Sequence, residues 1–263
     1  GKRNPPALIG LCEVENDHVL TLLTKYSALK NLQYRYVMTH SDDLRGIDVA
    51  LLYQRDQFKL ITNEVIAAPT YNGKPTRDIL HVSGIILSLD TLDVFLCHLP
   101  SLIGGKAATE HRKQVTTLLK EKVDSVIIQR NHPNVMVMGD FNSDLSSPVF
   151  TQILTVNDPV STHPNEYELY HLFYHLAKQK GVGSYKYKGF WQLIDHILIS
   201  GRLLQPQNAL HTYPTKAHIA ELPSLLEEDL KYGGKKPYRT YYGMKYQEGI
   251  SDHLPLYVEF DLS

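Results

Sequence analysis

Two separated stretches hold residues whose types and spacing could do chemistry: Val137-Met138-Gly139-Asp140-Phe141-Asn142 and Gly249-Ile250-Ser251-Asp252-His253-Leu254-Pro255. In each, a carboxylate and a second polar group stand where an apolar, strand-like run meets a loop. The run 135–138 precedes the first stretch, and the run 256–260 follows the second. Carboxylates hold a divalent cation and orient water, while an amide and an imidazole contact phosphoryl oxygens. Asp140 with Asn142, and Asp252 with His253, therefore supply the parts of metal-assisted hydrolysis of a phosphate ester. Either stretch alone says little, because Asp and Asn are ordinary turn residues. Together they point to one chemistry.

The elements that must position these groups follow from the apolar pattern. Strands are expected over 8–14, 34–39, 48–53, 58–65, 79–89, 92–97, 135–138, 184–188, 193–200 and 256–260. Asn16 or Asp17 caps a helix with Val19, Leu20, Leu22, Leu23 and Tyr26 inward, and 109–130 reads as an amphipathic helix covering a sheet. The segments 146–156, 166–179 and 224–231 are also expected to be helical. The run 135–138 is apolar throughout, as a strand covered on both faces should be. Many strands in short succession with covering helices predict two packed sheets with helices outside them. No repeat or Pro/Gly/Ser linker divides the chain, so residues 1–263 are expected to form a single domain.

The chain has 263 residues, 43% hydrophobic and 21% charged, with a net charge of −1, so no overall basic field favours tight non-specific binding of nucleic acid. No apolar run approaches the ~20 residues that span a bilayer. No Gly-rich phosphate loop follows the first strand, where Val14-Glu15-Asn16-Asp17 stands instead, which disfavours P-loop phosphoryl transfer. The two cysteines, Cys12 and Cys97, precede Glu13 and His98 on their strands. Strand alternation predicts both thiols reduced and turned away from the cleft, into the core.

Further carboxylates and imidazoles stand at other strand ends: Ile9-Gly10-Leu11-Cys12-Glu13-Val14, Leu96-Cys97-His98-Leu99-Pro100-Ser101 and Trp191-Gln192-Leu193-Ile194-Asp195-His196. In this order and spacing the chain resembles the endonuclease/exonuclease/phosphatase superfamily over essentially its whole length. That superfamily includes pancreatic-type deoxyribonucleases, abasic-site endonucleases, bacterial sphingomyelinases and inositol polyphosphate 5-phosphatases. The resemblance implies an α/β four-layer sandwich of two packed mixed β-sheets with helices on the outer faces. It implies that Glu13 and Asp252 serve a Mg²⁺ ion, with Mn²⁺ as the alternative. It further implies that Asp140 and Asn142 orient the attacking water, that His253 contacts the phosphoryl group, that Asp195 fixes the tautomer of His253, and that His98 is a second phosphoryl-binding histidine. Asp78 is expected to pair with His98 across a hairpin. The family's first strand and its asparagine have no counterpart here, so the resemblance implies either an N-terminally truncated domain, expected to self-associate through the gap, or another segment in that strand's place.

Arg45, beside Gly46, and Lys235, Lys236 and Arg239 in the cation- and tyrosine-rich stretch 231–242 are candidates for substrate binding. That stretch suits either a phosphate backbone and its bases or a solvated loop packing its tyrosines on the sheet. His171 and His175, four apart on the helix expected over 166–179, have a zinc-binding spacing but sit among Leu172, Phe173 and Leu176, which favours packing. The expected function is a Mg-dependent phosphoesterase, with nuclease or other phosphodiesterase first and a phosphatase or phospholipase-type hydrolase on sugar, inositol or lipid phosphates as alternative. A catalytically weak binding module is the alternative of another class. The expected partner is a phosphate-ester substrate, nucleic acid included; the compartment is not encoded.

Overall fold

The computed structural model describes residues 5–87, 90–101, 105–160 and 163–263; residues 88 and 89, the end of the strand expected over 79–89, lie outside it. Strands β1 (Leu8–Val14), β2 (Tyr34–Met38) and β3 (Asp48–Gln54) form an antiparallel sheet in the order β1-β3-β2. The strands that follow are β4 (Phe58–Ile66), β5 (Ile79–Ile86), β6 (Asp90–His98), β7 (Val135–Asp140) and β8 (Leu169–His171), then the hairpin of β9 (Tyr185–Tyr187) and β10 (Phe190–Gln192), then β11 (Asp195–Ser200). Of these, six make the central sheet, ordered β4-β5-β6-β7-β11-β8. Its one parallel pairing, β6 with β7, is joined by the long helix α2 (Gly105–Gln129), as a parallel connection requires.

The remaining strands come as short pairs: β12 (Leu210–His211) with β19 (Asp261–Leu262), and β13 (Ala217–Ile219) with β18 (Leu256–Val258). Two hairpins complete the set, β14 (Leu226–Glu228) with β15 (Lys235–Pro237) and β16 (Tyr241–Tyr242) with β17 (Lys245–Tyr246).

Three apolar clusters define four layers. Val115, Leu119, Val123 and Ile127 of α2 pack on Phe95, Cys97, Val135, Val137 and Leu198 of the central sheet. The other face of that sheet, with Leu80, Val94, Leu96, Met136 and Ile197, packs on Val49 and Leu51 of β3 and on Leu210 and Ala217 of the short pairs. Ala50 and Leu52, on the outer face of β3, meet Leu20 of α1 (Asp17–Thr21). The expected sandwich is therefore present, with the central sheet mixed; the second sheet is interrupted and its pairings are antiparallel instead of mixed. Strand β7 explains its own sequence: Val135 and Val137 serve the helix side while Met136 and Met138 serve the other sheet.

Three expected helices are not formed. Within 166–179, residues Leu169–His171 pair with the edge of β11, followed by a single 3-10 turn, Leu176–Lys178. A short apolar run is ambiguous by period, and the unpaired edge of β11 decides it. Within 224–231 the chain makes a 3-10 turn, Pro223–Leu225, and enters β14, whose partner β15 returns through Gly233 and Gly234, both left-handed. Within 146–156 only one wide turn forms, Val149–Ile153, between Pro148 and a left-handed Thr155.

Candidate active site

Register brings the first site residues together. His98 of β6 stands opposite Asp140 of β7, and Asp140 stands opposite Asp195 of β11, so the three side chains form a row across adjacent strands. They lie on the face that meets the second sheet, since Leu96 and Met138, two residues earlier on their strands, pack there. Gly139 permits the close approach of β6 and β7. Its φ is +141°, and a Cβ there would lie 1.9 Å from the Cys97 carbonyl oxygen.

Asp140 then opens the loop. Its Oδ1 accepts from the Asn142 backbone N–H at 2.7 Å, with Asn142 left-handed at φ 48°, and the Asn142 side-chain amide donates to the Leu99 carbonyl at 2.9 Å. His253 arrives from the chain's far end, and its Nδ1–H donates to Asp195 Oδ2 at 2.7 Å. Ser184 holds this junction. Its hydroxyl donates to Asp195 Oδ2, and its carbonyl accepts from Leu254 N–H at 2.7 Å. Tyr185 lies against the His253 ring, with centroids 4.9 Å apart.

Electrostatics divide the two imidazoles. Burial pulls the His253 pKa down, but the hydrogen bond to Asp195 and the charges of Asp195, Asp140 and Asp252 outweigh it, giving about 9. Burial pushes the His98 pKa far down, helped by the positive charges of Arg77, Arg45 and His253, so His98 is neutral. Its Nε2 lies 3.5 Å from Asp140 Oδ2, and its buried Nδ1 has no hydrogen-bond partner among the described residues. Burial, then the Asp195 charge, raises the Asp140 pKa well above the carboxylate range. A cationic imidazole, a neutral imidazole and a buried carboxylate hungry for a proton can together bind an anionic group and deprotonate a nucleophile.

Donor atoms of Asp140, Asp195 and His253 lie within 4.8 Å of one another. Glu13 and Asp252, the residues expected to hold metal, are outside that cluster: Arg45 donates to Glu13 at 2.7 Å, and Arg239 lies 3.7 Å from Asp252. Glu13 is nonetheless turned by a device. The register of β1 against β3 shifts between Leu11 and Val14, and Glu13 is left-handed at φ 58°. Such a bulge re-aims a side chain. It also corrects the expectation for Cys12, which packs between the sheets near Asp140 instead of turning away from it. Cys97 does face the helix layer, and both thiols are free.

Arg45 and Arg239 thus reach Glu13 and Asp252, whereas Lys235 and Lys236 sit on the β14–β15 hairpin, with Lys236 3.4 Å from Glu227. Asp78 does not pair with His98. It accepts from the Ala68 backbone N–H at 2.8 Å, because the strand entry needs that acceptor. Its neighbour Arg77 is the group that matters: buried, it pairs with Asp43 at 3.2 Å and donates to the Leu99 carbonyl at 2.9 Å, beside Asn142. Arg77, Asp43 and Ser184 escaped the sequence reading, since each is an ordinary loop residue until its distant partner is known. His171 is no helix residue; it lies buried in β8 against His196, and His175 instead meets Asp158 at 3.1 Å.

The oxygen-rich donor set fits a hard divalent cation. Two carboxylates crowd one pocket and raise the proton affinity of Asp140, which a cation would relieve.

No curated protein sequence matches the chain. Among solved structures, a humanized D. rerio TDP2 carrying 14 mutations aligns with TM-score 0.61 at 19% identity, covering 97% of this chain and 86% of the other. The human Nocturnin catalytic domain aligns with TM-score 0.61 at 16% identity, covering 98% and 81%. A mannosyl-6-phosphatase of Bacteroides thetaiotaomicron aligns with TM-score 0.60 at 16% identity, covering 97% and 85%. These likenesses concern the fold. The model of the Endonuclease/Exonuclease/phosphatase family matches residues 1–262, and the chain belongs to that family.

Proposed function

We propose that the protein is a divalent-metal-dependent phosphoesterase, with phosphodiesters, nucleic acid among them, as its first substrate class. The observation that carries this reading is the convergence of Asp195, His253 and buried Asp140, from segments far apart in sequence, on one cluster of donor atoms. Glu13 and Asp252 are the groups we assign to a Mg²⁺ or Mn²⁺ ion, with Asp140 nearby; when bound, the ion polarises a phosphoryl oxygen and offsets charge in the transition state. Asp140, its Oδ1 held by the Asn142 N–H, takes the proton of an attacking water. His253, kept cationic by Asp195, binds the phosphoryl oxygens and protonates the leaving oxygen. Neutral His98 donates a hydrogen bond, not a charge, which refines the role expected for it. Arg45 and Arg239, now on the site carboxylates, are placed to exchange those partners for a substrate phosphate.

Among similar structures, D. rerio TDP2 has been solved with a single-strand DNA product, and the Bacteroides protein is a mannosyl-6-phosphatase, so diesters and monoesters both belong in the test. Bis-para-nitrophenyl phosphate, para-nitrophenyl phosphate, oligonucleotides, phosphoinositides and sphingomyelin should be assayed with Mg²⁺ and then with chelator. Hydrolysis of at least one that chelator abolishes is expected. Activity that survives both chelator and His253→Ala would end the proposal.

A further inference from the structure

The β9–β10 hairpin beside the dyad has a use that ester hydrolysis alone does not require. Lys188 and Gly189 are both left-handed, making the two-residue turn that keeps β9 and β10 in strict alternation. Tyr185 and Tyr187 therefore project from one face, while Lys186 points to the other, where it is buried against Asp229 at 2.9 Å. The two tyrosine rings are nearly parallel, 14° apart, with centroids separated by 6.5 Å. Two van der Waals contacts stacked in series span about 7 Å. The separation falls short of that span, so a planar ring enters between them only as Tyr187, which is half exposed, swings outward.

The surroundings suit an unpaired base. Gln192, the cross-strand partner of Tyr185, is exposed and offers an amide to a base edge. Phe190, the partner of Tyr187, is 75% exposed and extends the aromatic surface. Lys188 lies over the Tyr187 ring at 5.2 Å. Tyr185 also meets the His253 ring, with centroids 4.9 Å apart, so a base stacked at this pair lies next to the Asp195–His253 pair. Resting on the phosphodiesterase reading above, we propose that Tyr185 and Tyr187 form a subsite that takes one unpaired nucleobase between their rings, making single-stranded polynucleotide the substrate class.

Leu230 and Met244, on neighbouring hairpins, are almost fully exposed and would equally suit a lipid surface, so vesicles enter the test as the competitor. Fluorescence anisotropy at fixed salt with Mg²⁺ compares a phosphorothioate-linked oligothymidylate with an abasic oligomer of equal length and linkage. The wild type should bind the base-bearing strand about ten-fold more tightly. In Tyr187→Ala that ratio should fall toward one, while Tyr187→Phe should restore it. A wild-type ratio near one overturns the proposal, as does a ratio unchanged in Tyr187→Ala. Sedimentation with phosphatidylserine vesicles, lost in Tyr187→Ala while the oligonucleotide ratio is near one, overturns it in favour of a membrane surface. Hydrolysis of bis-para-nitrophenyl phosphate by the wild type is read separately. Its absence with the ratio intact would remove the parent reading and leave the base subsite standing.

Discussion

Asp195 and His196 are neighbours on β11, yet their side chains meet two histidines held in different charge states, one cationic and one neutral. On the pocket side, Asp195 pairs with His253 and keeps it cationic, with a pKa of about 9. On the core side, His196 Nδ1 lies 2.7 Å from His171 Nε2. Their tautomers follow from the chain of donors. The Phe173 backbone N–H donates to His171 Nδ1, His171 Nε2–H donates to His196, and His196 Nε2–H donates to the Ser143 carbonyl at 2.8 Å. Every ring nitrogen is satisfied with both rings neutral. Burial accordingly lowers the His196 pKa to about 4, and burial and then the neighbouring ring depress His171 strongly. One residue step along a strand thus separates an imidazolium available for chemistry from an imidazole that is purely core. The partner decides: a carboxylate stabilises the added proton, and a second imidazole with no free acceptor repels it.

The largest effect that could break this comparison is on the pocket side. His253→Ala and Asp140→Ala should each lower hydrolysis of bis-para-nitrophenyl phosphate by ~10²–10³-fold. Equal losses from His171→Leu would show that the two sides are not distinct. Next, Asp195→Asn removes the charge that holds the His253 proton. The alkaline limb of kcat/KM, expected near pH 9 in the wild type, should move toward the ordinary histidine value of about 6.5. Histidine resonances followed by NMR titration check this directly.

The two sides also bend stability in opposite directions with pH. His253 has its folded pKa raised, so its contribution is complete below about pH 6.5 and fades as pH rises through about 9. His196 has its folded pKa lowered, so its contribution is complete above about pH 6.5 and fades as pH falls toward about 4. Urea midpoints measured from pH 4 to 9 should therefore fall at both ends. The double variant His171→Leu, His196→Phe should lose about 1–3 kcal/mol at pH 7, because Ser143 O and Phe173 N–H lose partners, while its acid limb flattens. The smallest effect concerns the rim. Arg45→Ala frees Glu13 of its ion pair and should lower the Mg²⁺ concentration for half-maximal activity by a few fold, read by metal titration.

Much of the frame was legible in the apolar pattern. The strands β1, β3, β6 and β7 and the helix α2 appear close to their expected places because each buries a face whose period is written locally. The site candidates were read from several stretches together: one polar pair at a strand end is ordinary turn chemistry, and only the order and spacing of several singled them out. Where the reading failed, a distant partner outvoted the local pattern. Residues Leu169–His171 became a strand to serve the edge of β11, and Leu226–Glu228 became one because β15 returns beside it. Arg77 joined the site through Asp43, 34 residues away, a pairing no local spacing encodes.

By itself, the order of amino acids determined which segments have a face to bury and which carboxylates and imidazoles stand at strand ends. Only the tertiary structure decided which of those groups touch. His253 and Asp195 are 58 residues apart, and their contact is what makes the imidazole a cation. Alternation and period act over a few residues, whereas charge state depends on burial and on partners that folding brings in from elsewhere along the chain.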